Sequence, residues 1–188
     1  MTALDRFETG RLTLRQWQES DRTPFAALCA DPEVMKFFIS SVMSREAADG
    51  RIDKWSQLID ERGWGFWAIE RTSDGQFIGF AGLQVPDEKH PFMPCVEIGW
   101  RLSRASWGCG YATEAARRVL HIAFATLGLR EVIATTAVGN IRSSAVMERI
   151  GMTGPETVFR FPDVPKENPL GEHVLYRITR GQWVRSDA

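Results

Sequence analysis

The stretch RASWGCGYATEAARRVLHIAF, residues 104–124, decides the fold. Gly108 and Gly110 stand two apart in a polar turn, and an alanine-rich segment follows at once. Ala112, Ala115, Ala116, Val119, Ala123 and Leu127 recur at helical spacing, and Gly128 is a stop signal. The first amides of a helix have no partner within it, and the aligned peptide dipoles add partial positive charge at that end. Glycines let the backbone turn tightly and let a ligand come close to those amides. The segment therefore reads as an anion site or as a plain loop leading into a helix. Two spaced glycines do not separate these readings, so the flanking chain must.

Upstream, CVEIGWRLS (95–103) reads as a strand with Val96, Ile98, Trp100 and Leu102 on one face and Glu97 on the other. Downstream, EVIATTAV (131–138) reads as another strand. A strand, a long helix and a strand form a right-handed crossover, which makes the two strands parallel. Further upstream, GWGFWAIER (63–71) and QFIGFAGLQV (76–85) join at Ser73-Asp74-Gly75, a hairpin signal, and form an antiparallel meander with 95–103. PDEKHPFMP (86–94) is a surface loop. RLTLRQW (11–17) reads as a first strand, followed by a helix capped by Ser20 or Asp21 and a second from Ser44 to about Glu61. Asn140 to Ile150 reads as a short helix closed by Gly151. MTGPETVFRF (152–161) and HVLYRITRGQW (173–183) read as closing strands split by a Pro-rich loop. The expected class is α/β: a mixed, mostly antiparallel central sheet with a splayed parallel strand pair and flanking helices. No repeat or linker is visible, so a single domain over 1–188 is expected, with a tail from about 181.

Composition bounds the function. With 188 residues, 44% hydrophobic and 25% charged, the chain has an ordinary globular make-up. A formal net charge of -1 gives no pull toward nucleic acid or an acidic membrane. No apolar run is long enough to span a bilayer. MTALDRFETGRLTLRQW carries charges where a signal peptide needs an apolar core, so a cytoplasmic protein is expected. Cys29, Cys95 and Cys109 show no C-x-x-C spacing, which fits a reducing compartment and predicts no metal site. The glycine loop lacks the Gly-Lys-Ser/Thr that would hold a triphosphate and magnesium.

Five blocks then occur in order: ETGRLTLRQWQESD (8–21), DPEVMKFF (31–38), VEIGWRLSRASWGCGYATEA (96–115), LGLREVIATTAVGNIRSSAVMERIGM (127–152) and HVLYRIT (173–179). Together they resemble the GNAT superfamily of acetyl-CoA-dependent N-acetyltransferases, and most of all its RimJ/RimL-like branch, whose named members acetylate α-amines of ribosomal proteins. The family's pyrophosphate motif is Gln or Arg, two residues, Gly, one residue, then Gly or Ala. It falls here on Trp107, Gly110 and Ala112, with Trp107 in the Gln/Arg place. The resemblance implies acetyl-CoA as cosubstrate, its diphosphate held by the amides of Gly108, Cys109, Gly110, Tyr111, Ala112 and Thr113. It places the pantetheine arm along Trp100, Arg101 and Leu102. It also implies that Asn140 ties the cleft together and that Ser143 lies near the thioester. A plain cap of a short helix is the alternative for both.

Acetyl transfer to an amine needs a neutral nitrogen, a polarised thioester carbonyl and a proton for the departing thiolate. An α-amine, with a pKa of about 7.7–8.0, loses its proton more readily than a lysine amine at about 10.4. Glu97 is the candidate base, and an ion-paired carboxylate on a half-buried strand is the alternative. Many GNAT enzymes carry a tyrosine four residues after the serine as general acid. Here that position is Met147, which leaves Ser143, Tyr111 or water as the proton donor. His173 and Tyr176 are three apart on one strand and face opposite sides. Phe38, Trp64, Phe66 and Trp67 are candidate walls of an acceptor pocket, and Arg117 a candidate partner of CoA phosphates. The expected acceptor is a peptide α-amine or a small-molecule amine, and the chain could form a homodimer. A non-catalytic acyl-CoA-binding protein is the rival reading.

Overall fold

The alternating segments pair as their turn signals require. The computed structural model describes residues 6–162 and 164–186. In chain order the elements are β1 (Arg6–Glu8), β2 (Leu12–Arg15), α1 (Arg22–Ala30), α2 (Pro32–Met35), α3 (Arg45–Arg62), β3 (Phe66–Arg71), β4 (Gln76–Gln84), β5 (Glu97–Leu102), α4 (Tyr111–His121), β6 (Glu131–Ala137), α5 (Ile141–Arg149), β7 (Thr153–Arg160), β8 (Glu172–Thr179) and α6 (Arg180–Ser186). The strands form one sheet in the order β1-β2-β3-β4-β5-β6-β8-β7. Every neighbouring pair is antiparallel except β5 and β6. This is the mixed α/β architecture expected.

The parallel pair is brief. Glu97 stands opposite Ile133, and the Ile133 N–H donates to Val96 O at 3.0 Å. Beyond that rung β5 runs on to Leu102 and β6 to Ala137 without pairing to each other among the described residues. Helix α4 follows β5 through Gly108 and Gly110, and buries Ala115, Ala116, Val119 and Leu120 against the sheet. Small residues on that stripe let helix and sheet approach closely. On the opposite face α1 and α3 seal the sheet with aromatic edges: Trp17, Phe25, Trp55, Phe66 and Phe80 form a contiguous cluster with ring centroids 4.6 to 6.4 Å apart. The Trp17 indole N–H is satisfied by Phe66 O at 2.7 Å.

Three local departures have physical causes. The chain makes a short strand at Phe7, buried between exposed Arg6 and Glu8, which the sequence pattern alone is too brief to reveal. Asp21 does not cap α1. It lies buried and accepts from Arg15 Nη1 at 2.7 Å and Nη2 at 2.9 Å, while Arg15 Nε reaches Glu70 at 2.8 Å. That network ties β2, β3 and the start of α1 together. The last strand ends at Thr179 rather than Trp183, and Arg180–Ser186 is helical where the sequence suggested a tail. Gln182 Oε1 accepts from both the Thr179 amide and hydroxyl at 2.8 Å, which bends the chain out of the sheet, and Trp183 packs 5.5 Å from Phe124. Residues 187–188 of that expected tail, and 1–5 of the N-terminal stretch, lie outside the described residues. Among the described residues no helix is long and apolar enough to cross a membrane.

Candidate active site

The divergence of β5 and β6 opens a cleft of about 1060 Å³ at the N-terminus of α4. Its floor is main chain. Gly108 and Gly110 adopt φ of 75° and 81°, left-handed values that side chains disfavour. The first intrahelical bond runs from the Glu114 amide to Gly110 O at 3.1 Å, so the amides of Tyr111 to Thr113 have no acceptor within the helix. The loop is held in place from both sides. Trp107 donates its indole N–H to Leu102 O at 3.0 Å, pinning the turn to the end of β5. Glu114 accepts from Thr9 Oγ1 at 2.6 Å and from the Arg11 amide and Nε, both at 2.8 Å. Burial pushes the Glu114 carboxyl up, but the bonds from Thr9 and Arg11 outweigh it and hold the carboxyl below its ordinary value. Arg11 Nη1 also reaches Cys109 O at 3.0 Å.

Trp100, Arg101, Leu102, Trp107, Gly108, Gly110, Tyr111, Ala112, Thr113, Asn140 and Ser143 all line this cleft. Cys109 is the exception among the expected ligands: its side chain is exposed and its carbonyl is taken by Arg11. The Arg101 side chain lies 3.7 Å over the Phe38 ring, with Nη1 3.7 Å from Cys29 Sγ. Burial brings its pKa down to about 10, so it stays charged at neutral pH. Arg117 does not line the cleft; its Nη2 donates to Arg149 O at 3.0 Å. Lys36, Arg142 and Arg149 supply the cations instead, and the Arg142 guanidinium sits 4.4 Å over the Trp107 ring. The sequence reading missed these three. The Asn-x-x-Ser block that contains Arg142 was the available signal. An unpaired strand edge, open helix amides and cationic side chains fit a diphosphate anion with an amide-bearing arm.

Asn140 bonds through both ends of its amide. As the cap of α5 its Oδ1 accepts the Ser143 amide, which fixes the amide orientation. Its Nδ2 then donates to Thr136 Oγ1 at 2.9 Å and Ser143 Oγ at 3.0 Å, tying α5 to β6. With its oxygen already accepting, the Ser143 hydroxyl proton is free to point into the cleft. Met147 is buried in the core, as an apolar side chain would be. Tyr111 opens α4, its ring 4.8 Å from the Arg11 guanidinium.

On the other side of β5 lies a groove of about 980 Å³. Helix α3 forms one wall, and the chain from Gln84 to His90 with Phe161 and Pro162 the other. Glu97 is at its base, 9% exposed. Gln84 Nε2 donates to Glu97 Oε2 at 2.7 Å and the Thr135 hydroxyl donates to Oε1, so the carboxylate is aimed by β4 and β6 at the last rung where β5 and β6 still pair. Burial, then the charge of Glu97, pushes the Cys95 thiol up to about 11. Burial pushes the His90 imidazole down, against the pull of Glu97. His173 stands behind Phe161, with ring centroids 4.8 Å apart. Burial lowers its pKa as well, and its Nδ1 is buried without a partner among the described residues. Tyr176, on the opposite face, donates to Glu148 Oε1 at 3.2 Å. Of the expected aromatic walls, Phe66 lines the groove. Trp67 is wholly buried against Phe7, and Phe38 belongs to the cleft.

Comparison with known proteins identifies this arrangement. Residues 11–153 match the acetyltransferase (GNAT) domain family. The chain is 35% identical over 181 residues to the FsC-acetyl coenzyme A-N(2)-transacetylase of Aspergillus fumigatus, covering 94% of this chain and 77% of that one. It is 30% identical over 175 residues to the uncharacterised N-acetyltransferase YnaD of Bacillus subtilis, covering 93% and 97%. The fold superposes on a GNAT-family acetyltransferase from Bacillus anthracis with a TM-score of 0.78 at 24% identity, covering 94% of this chain and 99% of that one. The chain belongs to the GNAT acetyltransferase family.

Proposed function

We propose that this GNAT acetyltransferase binds acetyl-CoA in the cleft and a primary amine in the groove, and that the amine attacks the thioester directly where the two meet beside Glu97. The observation that carries the reading is the shared strand: β5 lines the groove with Glu97 at its start and the cleft with Trp100 to Leu102 at its end. Acetyl-CoA supplies an activated thioester. The amides of Tyr111 to Thr113 with Lys36, Arg142 and Arg149 hold its phosphates. Glu97 takes the proton of the amine, directly or through a water, as the N–C bond forms and the C–S bond breaks. The Ser143 hydroxyl, oriented by Asn140, donates toward the sulfur. Much of the rate comes from holding nitrogen and carbonyl in line.

The cysteine chemistry favours direct attack over a covalent acyl-enzyme. Burial keeps Cys29 and Cys95 as thiols, and Cys109 is exposed outside the cleft. An α-amine acceptor is supported by the RimJ/RimL-like blocks in the sequence and by the N(2)-transacetylase relative. We take the whole chain as one such domain. The test is release of free CoA thiol in the presence of peptides, polyamines, aminoglycosides and amino acids. Acceptor-dependent release is expected. Tight CoA binding with no release for any acceptor would favour a non-catalytic acyl-CoA-binding protein, the reading that the buried Met147 leaves open.

A further inference from the structure

We infer that the acceptor carries a carboxylate as well as its amine, and that the groove wall on α3 recognises it. This rests on the function proposed above and names the chemical class of its acceptor. Helix α3 segregates its charges. Asp49 and Asp53 face away from the groove, paired with Arg22 and, for Asp49, Arg45. Asp60 accepts from Gln16 at 2.9 Å. Arg51, Lys54 and Arg62 line the groove. Among the described residues none of the three has a carboxylate within ion-pair distance.

Arg62 is the most specific of them. Its Nε donates to Trp64 O at 2.9 Å and its guanidinium lies 3.8 Å over the Trp64 ring. Stacking and one bond fix the plane and leave both terminal nitrogens to donate, the geometry that takes a carboxylate through two parallel bonds. It is half-buried, and burial lowers its pKa, with no acidic neighbour among the described residues to offset the cost. Its anchor leads straight to the reaction point. Gly65, next to Trp64, accepts the Leu83 amide at 3.0 Å, and the next residue, Gln84, holds Glu97. One end of the groove therefore suits an ammonium giving up its proton, and the α3 wall suits an anion. The acid at the rim, Asp87, is engaged in its own turn, accepting the Lys89 amide at 3.0 Å. A free amino acid is the simplest molecule with both groups.

The experiment compares matched acceptors: α-amino acids and their carboxamides, with kcat/KM corrected for the fraction of neutral amine. The acids are expected to exceed their amides by at least about tenfold, the size of a charge-assisted contact of about 1.4 kcal/mol. In Arg62→Gln that ratio should fall to within about twofold, mostly through KM. Because Arg62 also packs on Trp64, the exposed pair Arg51→Gln/Lys54→Gln serves as a second variant, and should lower the ratio without a change in Tm. Amides equal to or better than acids in the wild type would overturn the inference. So would a ratio unchanged in both variants, or acetylation of other amines with no turnover of any amino acid. CoA titration by calorimetry runs alongside: absent CoA binding would overturn the proposed function itself, whereas intact binding with an amide preference would overturn only this inference.

Discussion

The cleft and the groove share one strand, yet they are built from different material. The cleft has a main-chain floor: two left-handed glycines, the open amides of α4 and, among the described residues, an edge of β5 that pairs with no strand beyond Glu97. Its lining comes largely from two stretches, residues 100–113 and 139–149, that the crossover brings face to face. The groove is mostly side chain, gathered from α3, the loop before β5 and the segment between β7 and β8. A main-chain site makes strict demands at few positions and is tolerant elsewhere. Trp107 stands where the family motif has Gln or Arg, and the turn is still pinned through its indole N–H. A side-chain site can change its ligand through substitutions that leave the backbone alone. One surface thus suits a constant cosubstrate and the other a variable acceptor.

The comparison breaks most sharply at Glu97, the groove carboxylate on the strand that the two sites share. In Glu97→Gln, kcat/KM should fall by about 10²–10⁴ at low pH, where the amine is mainly protonated. Raising pH should restore part of it, because the amine then deprotonates unaided. A profile parallel to wild type within a few-fold would mean that positioning and the amine's own pKa carry the reaction. Ser143→Ala should cost less, about tenfold with weak pH dependence, because Asn140 keeps Thr136 as a partner and α5 keeps its cap. A loss matching that of Glu97→Gln would mean that the step depends on the Ser143 proton as much as on the base, and no loss would mean that water protonates the sulfur instead. The smallest effect is expected behind the groove, at His173. Its folded pKa lies below the ordinary 6.5, so the unfolded chain takes up a proton first as pH falls. Stability from the neutral imidazole is present above about pH 6.5 and declines below it. His173→Phe should flatten the drop in Tm between pH 7.5 and 5.5, and an identical drop would remove His173 from the account.

The same division explains what the sequence disclosed. The α4 start was legible because Gly108, Gly110 and the Ala112–Ala116 stripe are consecutive, and the parallel pair followed from one long crossover. Glu97 could be placed by alternation alone. The cations of the cleft were harder, since Arg117 and Arg149 differ only in which way a helix face turns, and packing sets that. The groove was nearly invisible. Phe66 and Trp67 are adjacent aromatics, and only the register of β3 sends one to the groove and the other into the core. Glu114 and Arg11 are 103 residues apart, and no local pattern announces their bond. Helix α6 replaced the end of a strand because Gln182 reaches back to Thr179, a side-chain contact that propensity does not weigh.

The claim on which all of this depends is that the main-chain cleft binds CoA, and a calorimetric titration tests it most directly. Wild-type protein is titrated with CoA beside Gly110→Trp. At that position φ is 81° and an added Cβ would sit 3.5 Å from the Arg11 guanidinium, so the substitution distorts the turn and fills the space above the α4 amides. Circular dichroism and Tm confirm that the variant remains folded. Saturable binding in the wild type is expected, weakened at least about 100-fold in the variant, equivalent to about 2.7 kcal/mol. No binding to the wild type, or equal affinity in a folded Gly110→Trp protein, would contradict the account.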